Sequence, residues 1–498
     1  MPADSEECKA ILQILFSRPD FLRLLACFLI AAALPAAAQL PPPMLDRMRA
    51  AGLPEEAAGV VVQRLSDGRA LLVHNAERSL APASTLKLLT SLAALETLGP
   101  AHRGTAELLT RGTVSDGVLN DDLFLRGRAD VDLDWQAFEH MLQVLRLRGV
   151  RDIRADLVLD RTHFNPARTD VGLAPFDEAP EFRYNFVPDA LMLNTNLVRL
   201  DLVSDGHEVR VAMTPALEGV GVVSGFRIGD RACDDWEDGW VLPEVKKGPL
   251  GGIRIRLQGE FPRDCTADTQ VNVLDRVLFA DRLFRATWKR LGGTFTGRVR
   301  DGATPADARV LAEHKSRPLT ELVRDVNKDS DNPITRVLYL SMGAAGALQG
   351  EPTAVAAERE VRAWMARRGI DSEGLVLENG SGLSRKERIR PAQLAAVLRA
   401  AAASPWSAEF TASLPIVAVD GAMRKRLRAS PAAERARIKT GTLRDASAVA
   451  GYVKDESGET YVVVAMLNHD NANKRVARPI LDALVDWVAS RGRAGTPP

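Results

Sequence analysis

Cysteine is scarce in this chain, four in 498 residues, which excludes a small disulfide-knotted scaffold. Aromatic residues are few as well, at 5 %, so the cores must be built mainly from aliphatic side chains. Neither charge sign is in excess: 65 Lys and Arg stand against 65 Asp and Glu. A surface coated with one charge is therefore not expected, and no nucleic-acid partner is assigned. No His-Glu-x-x-His occurs, the seven histidines are scattered singly, and no Cys or His set has zinc spacing. Neither a metal nor an organic cofactor is expected. Internal repeats are missing too. The longest apolar run, Leu24–Ala38, holds 15 residues, short of the roughly 20 that span a bilayer.

That run follows Arg18 and Arg23 and ends in Ala36-Ala37-Ala38, a small-x-small cleavage signal. It reads as an export signal over residues 1–38, removed before Gln39. The alternative is an uncleaved anchor, and peripheral association with the membrane stays open. Cys8 and Cys27 leave with the signal. Cys233 and Cys265 remain, an even pair in an exported chain, and a disulfide is the economical reading beside two buried thiols.

Hydrophobic residues make up 46 % of the chain, enough for packed cores, and the length suits about three domain-sized units. Gly59–Leu65 and Arg69–His74 flank Ser66-Asp67-Gly68 and read as a hairpin. Residues 84–98 form a mostly apolar helix stopped by Gly99-Pro100. From about residue 102 to 290 short alternating runs are split by Gly, Asp and Pro, a β-rich pattern with a helix near Trp135–Leu147. Helical periodicity returns at 275–291, 318–344 and 354–369. Three consecutive strands follow at Ala436–Thr442, Ser447–Val453 and Thr460–Leu467, then a helix with Ile480, Leu484 and Val488 on one face.

Three short motifs lie in this frame: Ser84-Thr85-Leu86-Lys87, Ser330-Asp331-Asn332 and Lys439-Thr440-Gly441-Thr442. Alone, each has a bland reading: a helix cap, a polar loop, a strand running into a turn. In this order, on a helix start, an inter-helix loop and a strand, they fit one chemistry. A serine hydroxyl needs a nearby base to become a nucleophile. Three residues along a helix, Lys87 projects beside Ser84. Burial and a second cation, Lys439, would push its pKa down towards a usable base. The backbone N–H groups of Ser84 and Thr442 are the candidate oxyanion donors. Gly441 leaves room for substrate against the strand. Lys439 with the hydroxyls of Thr440 and Thr442 makes a socket for a substrate carboxylate.

The three motifs resemble those of the penicillin-recognising serine enzymes. Ser84 and Ser330 are 246 residues apart and Ser330 and Lys439 are 109 apart. An insert that long between the first two motifs is similar to the low-molecular-mass class C penicillin-binding proteins, serine-type D-Ala-D-Ala carboxypeptidases and endopeptidases. Val187–Asn196, Glu378–Arg385 and Asp420–Met423 are further family-like stretches, while Pro333 and Arg336 depart from the usual pattern. The resemblance implies an α/β (α+β) fold, an antiparallel sheet covered by helices. Residues 39–101 and 291–498 would form the peptidase domain, with 102–290 as a β-rich insert. It implies Ser84 as nucleophile, Lys87 as base and Ser330 as proton relay. Asn332 would hold the substrate backbone, and Lys439, Thr440 and Thr442 the terminal carboxylate. The implied substrates are peptidoglycan stem peptides in the periplasm, with β-lactams as covalent inhibitors. No Glu-x-x-Leu-Asn occurs, which argues against efficient β-lactam hydrolysis. A β-lactamase or esterase on the same scaffold and a non-catalytic envelope binding protein are the alternatives.

Overall fold

In the computed structural model, which describes residues 39–172, 180–248 and 251–492, the chain starts with helix α1 (Pro42–Ala50). The export signal expected over 1–38 lies outside the described residues. Strands β1 (Ala58–Arg64) and β2 (Ala70–His74) form the expected hairpin. Its turn is fixed by Asp67, whose carboxylate accepts from the Arg69 N–H at 2.9 Å and from Arg64 Nε at 3.0 Å. Strands β3 (Arg437–Thr442), β4 (Ala446–Lys454) and β5 (Thr460–Asn468) complete an antiparallel sheet ordered β3-β4-β5-β1-β2. Residues near the two ends of the chain are thus zipped together, with Val61 opposite Val464.

Both faces of this sheet are buried, which is why β4 and β5 read as nearly continuous apolar runs. Ala448, Ala450, Val462 and Val464 face helices α2 (Lys87–Thr97), α3 (Leu319–Lys328), α4 (Asn332–Gly346), α5 (Thr353–Arg367), α6 (Pro391–Ala402) and α7 (Ser407–Ser413). Val449, Val463 and Ala465 face α1 and the last helix, α8 (Lys474–Ala489). On α8 the predicted stripe of Ile480, Leu484 and Val488 is fully covered, each side chain worth roughly 1.5–3 kcal/mol. Among the described residues no helix is long and apolar enough to cross a membrane.

Between the first two motifs lie several smaller sheets with a separate core, in which Phe138, Leu142, Phe284 and Trp288 pack under the strands. The helix expected near Trp135–Leu147 spans those residues, capped by Asp134. Past residue 291 the chain does not at once join the main sheet. Thr294–Phe295, Val299–Asp301 and Arg309–Lys315 all pair with strands of the insert, the last of them with Thr105–Thr110. Helical periodicity at 275–291 was legible, but periodicity does not say against which core a helix packs. That helix buries Phe279, Leu283 and Phe284 in the insert. Cys233 and Cys265 are joined in a disulfide, their Cα atoms 5.4 Å apart. Closing a loop of this length stabilises the fold by roughly 3–4 kcal/mol in the chain-entropy account.

Candidate active site

The α-helix does not begin at Ser84. Ala83–Leu86 is a single 3-10 turn, and α2 starts at Lys87. Three residues per turn makes positions i and i+3 eclipse, so the turn sets Lys87 directly over Ser84. Lys87 Nζ lies 3.0 Å from Ser84 Oγ and 2.6 Å from both Asn332 Oδ1 and the Ser381 carbonyl oxygen. Lys87 is fully buried, and all three of these acceptors are neutral. Burial holds its pKa down to about 7, against the raising charges of Glu387 and Asp331. Lys439 was expected to be a cause of that shift; the desolvation of Lys87 itself is the largest one.

The second motif is built by the junction of α3 and α4. Ser330 takes a left-handed conformation, φ +62°, that turns the chain between the helices. Asp331 caps α4 by accepting from the Ile334 N–H at 2.7 Å. Pro333 then sits in the first turn, where its missing N–H loses no bond. Asn332 faces Lys87 with its oxygen and donates Nδ2–H to the Tyr184 carbonyl at 3.0 Å. The insert therefore reaches this site. Arg183 Nη2 is 2.8 Å from Asp331, and Arg336 donates to the Phe186 carbonyl at 3.1 Å.

The third motif runs along edge strand β3. Lys439 is fully buried and donates to Ser330 Oγ at 2.8 Å and to the Thr440 carbonyl at 3.0 Å. Burial, and then the charge of Lys87, push its pKa well down. Thr440 and Thr442 point to the other face of the strand. They line a cavity of about 240 Å³ with Arg426, Ser447, Lys474 and Arg478. Gly441 abuts the turn that holds Ser84. A Cβ there would lie 2.7 Å from both the Ser84 nitrogen and the Pro82 carbonyl, so no other residue fits. The structure thus brings Ser84, Lys87, Ser330, Asn332, Lys439 and Gly441 to one point, with Thr440 and Thr442 bordering the adjoining cavity. Among the described residues no group of three or more His, Cys, Asp or Glu is placed to hold a metal.

Sequence reasoning missed Glu387. Its fully buried carboxylate accepts the N–H groups of Glu378, Asn379, Gly380 and Gly382 at 2.7–3.2 Å. It shapes the loop that offers the Ser381 carbonyl to Lys87. The Glu378–Arg385 stretch had been singled out, but the acid that organises it lies two residues beyond.

The profile of the D-Ala-D-Ala carboxypeptidase 3 (S13) family matches residues 45–490. A D-alanyl-D-alanine carboxypeptidase of Actinomadura sp. is 32 % identical over 419 residues, covering 81 % of this chain and 76 % of its own. The D-alanyl-D-alanine carboxypeptidase DacB of Haemophilus influenzae is 25 % identical over 422 residues, covering 84 % and 86 %. The crystal structure of penicillin binding protein 4 (dacB) from H. influenzae superposes with a TM-score of 0.73 at 23 % identity, over 89 % of this chain and 98 % of that one. That likeness establishes the shared fold. With the profile spanning nearly all of the described residues and the three motifs meeting at one buried point, the chain belongs to the D-Ala-D-Ala carboxypeptidase 3 (S13) family, serine-type peptidases of the low-molecular-mass class C penicillin-binding proteins.

Proposed function

We propose that Ser84 is the nucleophile of this peptidase and that its substrate is the D-Ala-D-Ala terminus of peptidoglycan stem peptides. The observation that carries the reading is the contact of Lys87 with Ser84 inside a buried ring of neutral acceptors. An amine with a pKa near 7 is half uncharged at neutral pH and takes the hydroxyl proton as Ser84 Oγ attacks the penultimate D-Ala carbonyl. The N–H groups of Ser84 and Thr442 stabilise the oxyanion. Ser330, held by Lys439, passes a proton to the departing nitrogen; the C–N bond breaks and D-alanine leaves. Water then hydrolyses the acyl-enzyme. Asn332 orients the substrate backbone, and Lys439 docks the terminal carboxylate at the strand edge, where Thr440 and Thr442 border the adjoining cavity.

The same atoms serve endopeptidase cleavage of D-Ala-linked cross-bridges with a different leaving group. A second structure of the H. influenzae protein holds a β-lactam, and by the same chemistry a β-lactam acylates Ser84 here. The disulfide and the N-terminal apolar run support an exported, periplasmic enzyme. Strand pairing supports an inserted unit spanning residues 105–315 rather than 102–290.

The test is incubation with labelled penicillin followed by peptide mapping. One adduct on Ser84 is expected. Ser84→Ala should remove both the adduct and turnover of a D-Ala-D-Ala peptide, a loss of roughly 10⁴-fold or more. An adduct on any other serine overturns the assignment.

A further inference from the structure

An uncharged lysine amine has two N–H bonds and one lone pair. At Lys87 the Asn332 oxygen and the Ser381 carbonyl take the two hydrogens at 2.6 Å each, which leaves the lone pair facing Ser84 Oγ at 3.0 Å. The base is therefore aimed, in part, by a backbone carbonyl in an irregular loop. That loop is cramped. Gly380 and Gly382 have φ +71° and +75°, and a Cβ on Gly382 would meet the Ala83 carbonyl at 1.8 Å and the Ser84 nitrogen at 3.0 Å.

We propose that Glu387 is the positioning residue for the general base: its buried carboxylate gathers the loop and so fixes the Ser381 carbonyl against Lys87. Glu387 Oε1 accepts from the N–H groups of Glu378 at 3.2 Å, Asn379 at 2.9 Å and Gly380 at 2.7 Å, and Oε2 accepts from Gly382 at 2.8 Å. Those donors bracket Ser381 on both sides. Burial pushes the Glu387 carboxyl up, the four N–H groups aimed at its two oxygens oppose that by favouring the ionised form, and without the carboxylate those buried N–H groups would be left unsatisfied. The Gly380 carbonyl, held by the same clamp, accepts from Thr90 Oγ1 at 2.6 Å, tying the loop to α2 one turn beyond Lys87. Glu387 reaches neither Ser84 nor the open cleft; it acts through the loop.

The charged groups around Lys87 are Glu387 from this loop, Asp331 from the second motif and Lys439 from β3, with Arg336 beside Glu387. Removing the charge at 387 without changing its shape takes away a group that favours the ammonium form of Lys87. It also turns one acceptor into an amide NH2 that opposes an N–H of the loop.

This inference rests on the assignment of Ser84 and Lys87, and the test separates the two. In the full chain, Glu387→Gln should slow penicillin acylation at least tenfold at saturating penicillin while changing the affinity of the initial non-covalent complex less than twofold. The acid limb of its acylation profile should move to lower pH. Glu387→Asp keeps the charge and should leave that limb in place. Asn379→Ala removes the oxygen that accepts from the Ser381 N–H and Oγ–H and should slow acylation with no shift of the limb. If Glu387→Gln does not fold, Glu387→Asp and Asn379→Ala decide the matter. Acylation at the wild-type rate in the folded loop variants, with Lys87→Met inactive, overturns the role of Glu387 and spares the assignment. Acylation that survives Lys87→Met overturns the assignment itself.

Discussion

Two clusters of buried charge, one in the insert and one at the site, are treated in opposite ways. In the insert, Arg161 and Arg276 converge on one oxygen of Asp189 at 2.8 and 2.5 Å, with Asp170 3.4 Å from Arg276. Each cation meets a carboxylate. At the site, Lys87 and Lys439 are just as buried, yet their hydrogen-bond partners are hydroxyls, an amide and backbone carbonyls. Cations opposite carboxylates make a tie that is costly to open. A cation bonded only to neutral acceptors is desolvated with little compensation, and Lys87 gives up its proton near neutral pH. What separates a strut from a base is the charge of the partner, not the depth of burial.

The comparison is tested hardest in the insert. Asp189→Ala removes the carboxylate shared by the two buried guanidinium groups, leaving Arg161 to Asp301 and Arg276 to Asp170, and should lower stability by about 3 kcal/mol, measured by urea denaturation. Activity per folded molecule and its pH profile should stay as in the wild type; a displaced acid limb would show that the insert tunes the base.

At the site, Lys439→Ala removes a charge-assisted contact, about 1.5–3 kcal/mol or one to two decades in turnover efficiency. The wild type should prefer a D-Ala-D-Ala peptide with a free carboxylate over its C-terminal amide, and the variant should lose that preference. Unchanged discrimination would move the carboxylate to the cavity lined by Arg426, Lys474 and Arg478.

A third test concerns pH and stability. Lys87 titrates near 7 in the folded chain and at 10.5 in the unfolded one. Between those values the unfolded state binds the extra proton, so this group's contribution to stability rises with pH, by up to about 1.4 kcal/mol per unit. Melting curves of the wild type and Lys87→Met should therefore shift relative to each other in favour of the wild type from pH 7 to 10.5. A constant difference would mean that Lys87 stays protonated in the fold.

Much of this was legible in the chain because the signals are local. Ser84 and Lys87 share a turn, the hairpin carries Asp-Gly, and the run from Trp135 to Leu147 has a helical period and an Asp cap. Two kinds of fact were not legible. The pairing of Arg309–Lys315 with Thr105–Thr110 depends on long-range packing that no local pattern encodes. Glu387 works through four backbone N–H groups, which leave no side-chain signature; only the density of glycine at 380 and 382 hinted that something must sit close by. The 3-10 turn at Ser84 was read as ordinary helix, since both satisfy the same apolar spacing.

That long-range pairing also bears on how the chain folds. Thr105 and Lys315 lie side by side in neighbouring strands, so once the insert has formed, its entrance and exit are adjacent. The search that must bring Ser330 to Ser84 across 246 residues then becomes the closure of a short hinge, because loop-closure entropy depends on the effective length still unconstrained. Seen this way, the insert is a clasp that lowers the entropic barrier to assembling a catalytic centre whose parts are widely dispersed along the chain.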